Sequence, residues 1–116
     1  MKERELDNYE CKMTIMAVHD AMDVLNGKWK ISIVAALCFN KKRYSDLLRD
    51  VNGISGKMLS RELKEMELNQ LIKRTVIDTQ PVTVVYELTE YGQSLKLVIN
   101  NLATWGIEHR KKIIGK

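Results

Sequence analysis

The sequence predicts a mainly α fold with one small β-hairpin, an α+β domain in which helices precede and follow the strands. Three observations predict it. Apolar residues recur at helical spacing over most of the chain, and two β-rich runs, 71–77 and 82–88, flank Asp78-Thr79-Gln80-Pro81. The third is size: 116 residues with 45% hydrophobic content suffice for one core but not for two. The 29% charged content, single proline and absence of repeats or Gly/Ser/Pro-rich tracts fit a folded domain rather than a low-complexity chain.

Residues 1–12 are highly charged and are expected to form a mobile N-terminal arm. Ile15, Val18, Met22 and Leu25 then define an amphipathic first helix over 13–26, with Gly27 placed to stop it. A second helix, from 28 to 38, is apolar on most sides through Trp29, Ile33, Val34 and Leu37, so it belongs at the centre; Asn40 can supply its left-handed cap. Lys41-Lys42-Arg43-Tyr44 reads as a connector or minimal strand, and Ser45 suits the N-cap of a short third helix carrying Leu47, Leu48 and Val51.

The turn Asn52-Gly53-Ile54 leads into the most informative helix, 55–68. Ser55 has N-cap chemistry, and Ile54 and Leu59 stand at hydrophobic-staple spacing. Leu59, Leu63 and Met66 share one face, while Lys57, Ser60, Arg61 and Lys64 fall on the other. A short helix, a turn and a basic amphipathic helix over 45–68 have the order of a helix-turn-helix, and the hairpin 71–88 that follows has the place of a wing. In its second strand Val84, Tyr86 and Leu88 alternate with Thr83, Val85 and Glu87, so one face is expected to pack on the helices. Thr89 then suits the N-cap of a long last helix, 89–114, with an apolar stripe through Leu95, Val98, Ile99, Leu102 and Trp105 ahead of Arg110-Lys111-Lys112.

Charge sharpens this reading. Residues 1–26 hold three basic and six acidic side chains (net −3), residues 27–80 eleven and six (net +5), and residues 81–116 five and three (net +2). The positive excess sits in the middle of the chain and suits a phosphate-bearing partner, although solvated lysines alone would look similar. No carboxylate pair, Cys–His pairing, metal-ligand cluster or phosphate-binding glycine loop is visible, so no catalytic residue, metal or cofactor is expected. No apolar signal region or membrane-length run occurs, which makes the cytoplasm the expected compartment and a membrane partner unexpected.

Cys11, Asn26-Gly27-Lys28-Trp29-Lys30, Arg43-Tyr44-Ser45-Asp46-Leu47, Gly53-Ile54-Ser55-Gly56-Lys57-Met58-Leu59, Arg61-Glu62-Leu63, Pro81-Val82, Tyr86-Glu87-Leu88-Thr89-Glu90-Tyr91-Gly92 and Trp105-Gly106 form an ordered set. In this order and spacing the chain resembles the HxlR-type winged-helix transcriptional regulators of bacteria, relatives of the MarR group, over about nine-tenths of its length. It departs from them at Lys12, where the family often has proline, and at Asn69-Gln70, where it often has glycine.

The resemblance implies one HxlR-type domain over 1–116 that binds double-stranded DNA sequence-specifically as a homodimer on a pseudo-palindromic operator. Helix 55–68 would enter the major groove, the wing would approach the backbone or minor groove, and the terminal helices would form the dimer. The candidate DNA contacts are Ser55, Lys57, Ser60, Arg61, Lys64, Lys73, Arg74, Gln80 and Thr83, with Lys57, Ser60 and Arg61 foremost and Lys64 on phosphate. Ile15, Leu102 and Trp105 are the candidate interface residues. Cys11 is a candidate redox sensor, Cys38 reads as a buried hydrophobe, and a small molecule or an oxidant is the expected kind of inducer. The competing reading is a winged-helix protein–protein adaptor that does not bind DNA.

Overall fold

In the computed structural model, which describes residues 7–115, the order is α1 (Asn8–Val24), α2 (Trp29–Leu37), β1 (Lys42–Arg43), α3 (Tyr44–Asp50), α4 (Gly56–Leu68), β2 (Ile72–Ile77), β3 (Thr83–Leu88), α5 (Glu90–Gln93) and α6 (Leu95–Ile114). The core is built around α2, as its apolar composition predicts. Ile33, Val34 and Leu37 pack with Leu47 and Val51, with Leu59, Leu63 and Met66 of α4, and with Leu71, Ile72, Tyr86 and Leu88 of the sheet region. Burying each large apolar side chain contributes on the order of 2 kcal/mol, so α4 is held by its Leu59/Leu63/Met66 face.

The strands form an antiparallel sheet of order β1-β3-β2 rather than a hairpin alone. Lys42 and Arg43, the minimal strand, pair with Tyr86 and Val85, which makes β3 central. Val84, Tyr86 and Leu88 face the helices as expected. Val85 is buried too, because Arg43 and Thr75 stand beside it across the two ladders on the opposite face.

Three boundaries differ from the sequence reading. The first helix starts at Asn8, since the Asp7 carboxylate accepts from Glu10 N at 2.7 Å; residues 8–12 are therefore helical rather than a mobile arm, and residues 1–6 lie outside the described residues. The third helix starts at Tyr44, and its N-cap is Arg43, not Ser45: the Asp46 carboxylate accepts from Arg43 N at 3.3 Å and from the guanidinium as well. The last helix is two helices. Thr89 caps only α5, whose Gly92 is pressed against the Leu71 carbonyl, and the chain breaks at Ser94, whose hydroxyl donates to Tyr91 O at 2.5 Å.

Neither α1 nor α6 contains a buried residue. Both project from the body, giving extents of 58 × 36 × 26 Å and a radius of gyration of 17.3 Å. A closed globule of this length would have about 13 Å. Among the described residues no helix is long and apolar enough to cross a membrane.

Candidate nucleic-acid interface

Helix α4 begins where its sequence says it should. Ser55 Oγ accepts from Met58 N at 3.1 Å, Ile54 and Leu59 are both in the core, and Gly53 adopts φ +89° in the turn before them. The Trp29 ring covers that turn, lying 3.7 Å from where a Gly53 Cβ would stand. Lys57, Ser60, Arg61 and Lys64 then form one exposed stripe at i, i+3, i+4 and i+7.

Tyr44, which the sequence suggests only as part of the connector 41–44 and of a motif, fixes the start of this helix. Its hydroxyl donates to Gly56 O at 2.9 Å and lies 3.0 Å from Ser60 Oγ. A phenol has one proton. With that proton on the Gly56 carbonyl, the Ser60 hydroxyl donates to Tyr44 and keeps its lone pairs for an incoming donor.

A second anchor lies beneath the helix. Lys30, 1% exposed in the largely apolar α2, donates through Nζ to Glu62 at 2.6 Å, Glu65 at 2.7 Å and Asn26 Oδ1 at 3.0 Å. Burial pulls the Lys30 pKa down, but the hydrogen bonds to the two carboxylates outweigh it and the net effect is upward. The same bond from Lys30 holds the Glu65 carboxyl below its ordinary range. Sequence reasoning passed over this cluster, although a lone lysine in an apolar helix and a glutamate between Leu59 and Met66 on the buried stripe are the signals that announce a buried pair.

Between α4 and the sheet runs a cleft of about 500 Å³ lined by Arg43, Tyr44, Ser60, Arg74, Val84 and Tyr86 among others. It adjoins a smaller one of about 320 Å³ lined by Ser60, Lys64, Glu67, Arg74 and Tyr86. Ser60, Lys64 and Arg74 are thus brought together. Lys57 and Arg61 continue the same helical stripe outside the cleft. Lys73 is not brought in: strand alternation turns it to the opposite face, across from Glu87. Gln80 is exposed in the loop at the wing tip, and Thr83 lines the cleft, its hydroxyl engaged with Thr79 at 2.9 Å.

Basic residues beside the cleft are partly claimed. Lys42 pairs with Asp50 and Arg43 with Asp46, and these cations hold both carboxyls below their ordinary range. Arg49 also reaches Asp46 and Asp50.

Away from the cleft, Ile15, Leu102 and Trp105 are all more than half exposed. Leu102 joins Val18, Ala21, Met22, Leu25 and Ile31 along an apolar groove between α1, α2 and α6, whereas Trp105 stacks on His109 with ring centroids 4.9 Å apart. Cys11 is exposed on α1, and Cys38 is half-buried against the core.

The family model described as "HxlR-like helix-turn-helix" matches residues 24–113. The uncharacterized HTH-type transcriptional regulator YtcD of Bacillus subtilis (strain 168) is 39% identical over 106 residues, covering 91% of this chain and 84% of that relative. Among solved structures, a MarR-family transcriptional regulator from Porphyromonas gingivalis W83 superposes with a TM-score of 0.75 at 33% identity, covering 90% of this chain and 98% of that one. The redox regulator HypR in its reduced form gives 0.79 at 30%, covering 86% and 99%. With a capped, basic-faced helix behind a glycine turn, an antiparallel wing after it and a family match across most of its length, the chain belongs to the HxlR-like helix-turn-helix family: it is a winged-helix transcriptional regulator and not an enzyme.

Proposed function

We propose that this regulator acts in the cytoplasm as a homodimer that binds a pseudo-palindromic double-stranded operator, with α4 in the major groove and the wing against the backbone or minor groove. One observation carries the reading: the exposed stripe Lys57, Ser60, Arg61, Lys64 lies beside the wing, and the wing's Arg74 lines the same cleft as Ser60 and Lys64. Lys57 and Arg61 reach base edges from the first turns of the helix, and Ser55 with the first backbone N–H groups meets phosphate. Ser60 enters as an acceptor, so the base it meets offers an exocyclic amino group, adenine N6 or cytosine N4. Lys64 and Arg74 bind phosphate, Gln80 and Thr83 touch the strand at the wing, and Lys73 contributes only long-range charge.

The uncovered apolar faces of α1 and α6, including Ile15, Leu102 and Trp105, support a second copy as the occupant. The domain extent 1–116 and the division into helix-turn-helix 45–68, wing 71–88 and dimerisation helix 89–114 belong to the same proposal, with α5 an anchor and α6 the pairing element.

The test is duplex binding as a function of salt. Affinity should fall steeply as salt rises, and Arg61→Ala should weaken the operator more than an arbitrary duplex. No retention of any duplex at low salt would favour the adaptor reading instead. For the inducer, Cys11 is exposed on α1 and the similar HypR is a redox regulator, which supports an oxidant-responsive thiol here. Mild oxidation should then change operator binding in the wild type and not in Cys11→Ser; identical responses remove Cys11.

A further inference from the structure

Helix α4 carries three basic residues, Lys57, Arg61 and Lys64, and three acidic ones, Glu62, Glu65 and Glu67, so its formal charge is zero. A neutral helix is poorly matched to a duplex bearing one negative charge per about 1.7 Å. Arg61 and Glu65 are also four residues apart, a spacing at which arginine and glutamate ordinarily pair on a helix surface. Among the described residues Arg61 nevertheless forms no contact ion pair: the Glu65 carboxylate feels the Arg61 charge but lies 2.7 Å from Lys30 Nζ.

We propose that Lys30 is a positioning residue for DNA binding: its buried ammonium draws Glu62 and Glu65 to the concealed side of α4 and leaves the Arg61 guanidinium unpaired for the duplex. The inference rests on the DNA-binding reading above. Lys30 stays in place, because it is 1% exposed and also held by Asn26 Oδ1 at 3.0 Å. Glu62 stays with it, since it is 7% exposed on the stripe that also carries Leu59, Leu63 and Met66. Glu65 is the member with an alternative. Its side chain is 46% exposed at the rim, within reach of Lys30 on one side and, by helical spacing, Arg61 on the other. Without the ammonium, Glu65 turns to Arg61, occupies the guanidinium and adds a carboxylate to the DNA-facing surface.

Lys30→Met alone leaves two carboxylates without their partner and endangers folding, so the decisive variant is Lys30→Met/Glu62→Leu, which replaces the buried pair by apolar groups and frees Glu65. The probe is the set of duplexes that the wild-type chain selects from random-sequence DNA, with a scrambled duplex as control. The double variant should bind about tenfold more weakly, and adding Glu65→Gln should restore affinity to within about threefold of wild type. Arg61→Ala should cost about tenfold in the wild type but less than about threefold in the double variant, where Arg61 is already engaged. Wild-type affinity in the double variant, or a loss that Glu65→Gln does not recover while the two variants share one thermal midpoint, overturns the inference. A wild-type chain that selects no duplex overturns the DNA-binding reading itself, and this inference with it.

Discussion

Thr89 and Gly92 show how much one contact can ask of a residue. The Thr89 hydroxyl donates to Gln70 O at 2.7 Å and accepts from Gly92 N at 2.9 Å, tying the start of α5 to the approach to β2. A Cβ on Gly92 would stand 2.0 Å from Leu71 O, a backbone atom that cannot step aside. Gly92→Ala should therefore lower stability by roughly 3 kcal/mol in denaturant unfolding; a loss below about 0.5 kcal/mol, the range of ordinary surface changes, would show that the α5–β2 junction is soft. Lys30→Met should cost on the order of 3 kcal/mol, because it strands a buried carboxylate. The same cluster gives a pH signature. Glu65 has a lowered pKa in the fold, so its contribution is present above the ordinary carboxyl value of 4.5 and is lost as pH falls through the folded value. Lys30 has a raised one, so its contribution is present below the ordinary 10.5 and is lost as pH rises through the folded value. The stability gap between wild type and Glu65→Gln should stay constant across neutrality and narrow in acid; a gap that widens in acid contradicts the assigned ion pair. The cap roles of Ser55 and Thr89 were legible in the sequence because they need only local neighbours. The Lys30 cluster was not read, since its partners lie 32 and 35 residues away and only burial makes their pairing obligatory.

At the scale of elements, the helix-turn-helix and wing were legible because each has its own punctuation: Gly53 at the turn, Ser55 at the cap and Pro81 between the strands. The details that depend on tertiary packing were not. The sequence reading ran α5 and α6 together because Thr89 and the apolar stripe through Leu102 suit one helix, and nothing local reveals that Gly92 is pinned against the Leu71 carbonyl just before β2. Tyr44 shows the same limit. In the sequence it reads as part of a connector, whereas its hydroxyl reaches twelve residues onward to Gly56 and sixteen to Ser60. Tyr44→Phe should cost about 1 kcal/mol of stability. It should also relax base preference at one position per half-site, because the freed Ser60 hydroxyl can then donate as well as accept. An unchanged preference profile in a selection with Tyr44→Phe would remove Ser60 from base reading. On the wing, Arg74→Ala should weaken all duplexes alike, and Lys73→Ala, on the opposite face, should have the smaller effect. Equal losses would mean that the two faces of β2 are not distinguished by the duplex.

For the whole molecule, the body that carries the cleft is well packed, while α1 and α6 touch it only through the partly buried Val24, Leu95 and Ile99 and hold no fully buried residue. That division suits the proposed dimer, in which the fold is centred on α2 and the terminal helices pair. Leu102→Asp, in the groove between α1 and α6, should shift the sedimentation profile from dimer to monomer with little change in the thermal midpoint of the body; a profile that remains dimeric would place the interface elsewhere. The apolar stripes on the terminal helices were legible in the sequence, although their residues alone did not say which would line the groove, as Leu102 does, and which would stack outside it, as Trp105 does on His109. In the proposed complex, two copies present α4 to one duplex. The most direct test is to select bound duplexes from random-sequence DNA and determine the mass of the selected complex. Inverted half-sites about one helical turn apart, roughly 10 base pairs, with two chains per duplex are expected; recovery of no enriched sequence, or of a single half-site bound by one chain, would contradict this arrangement.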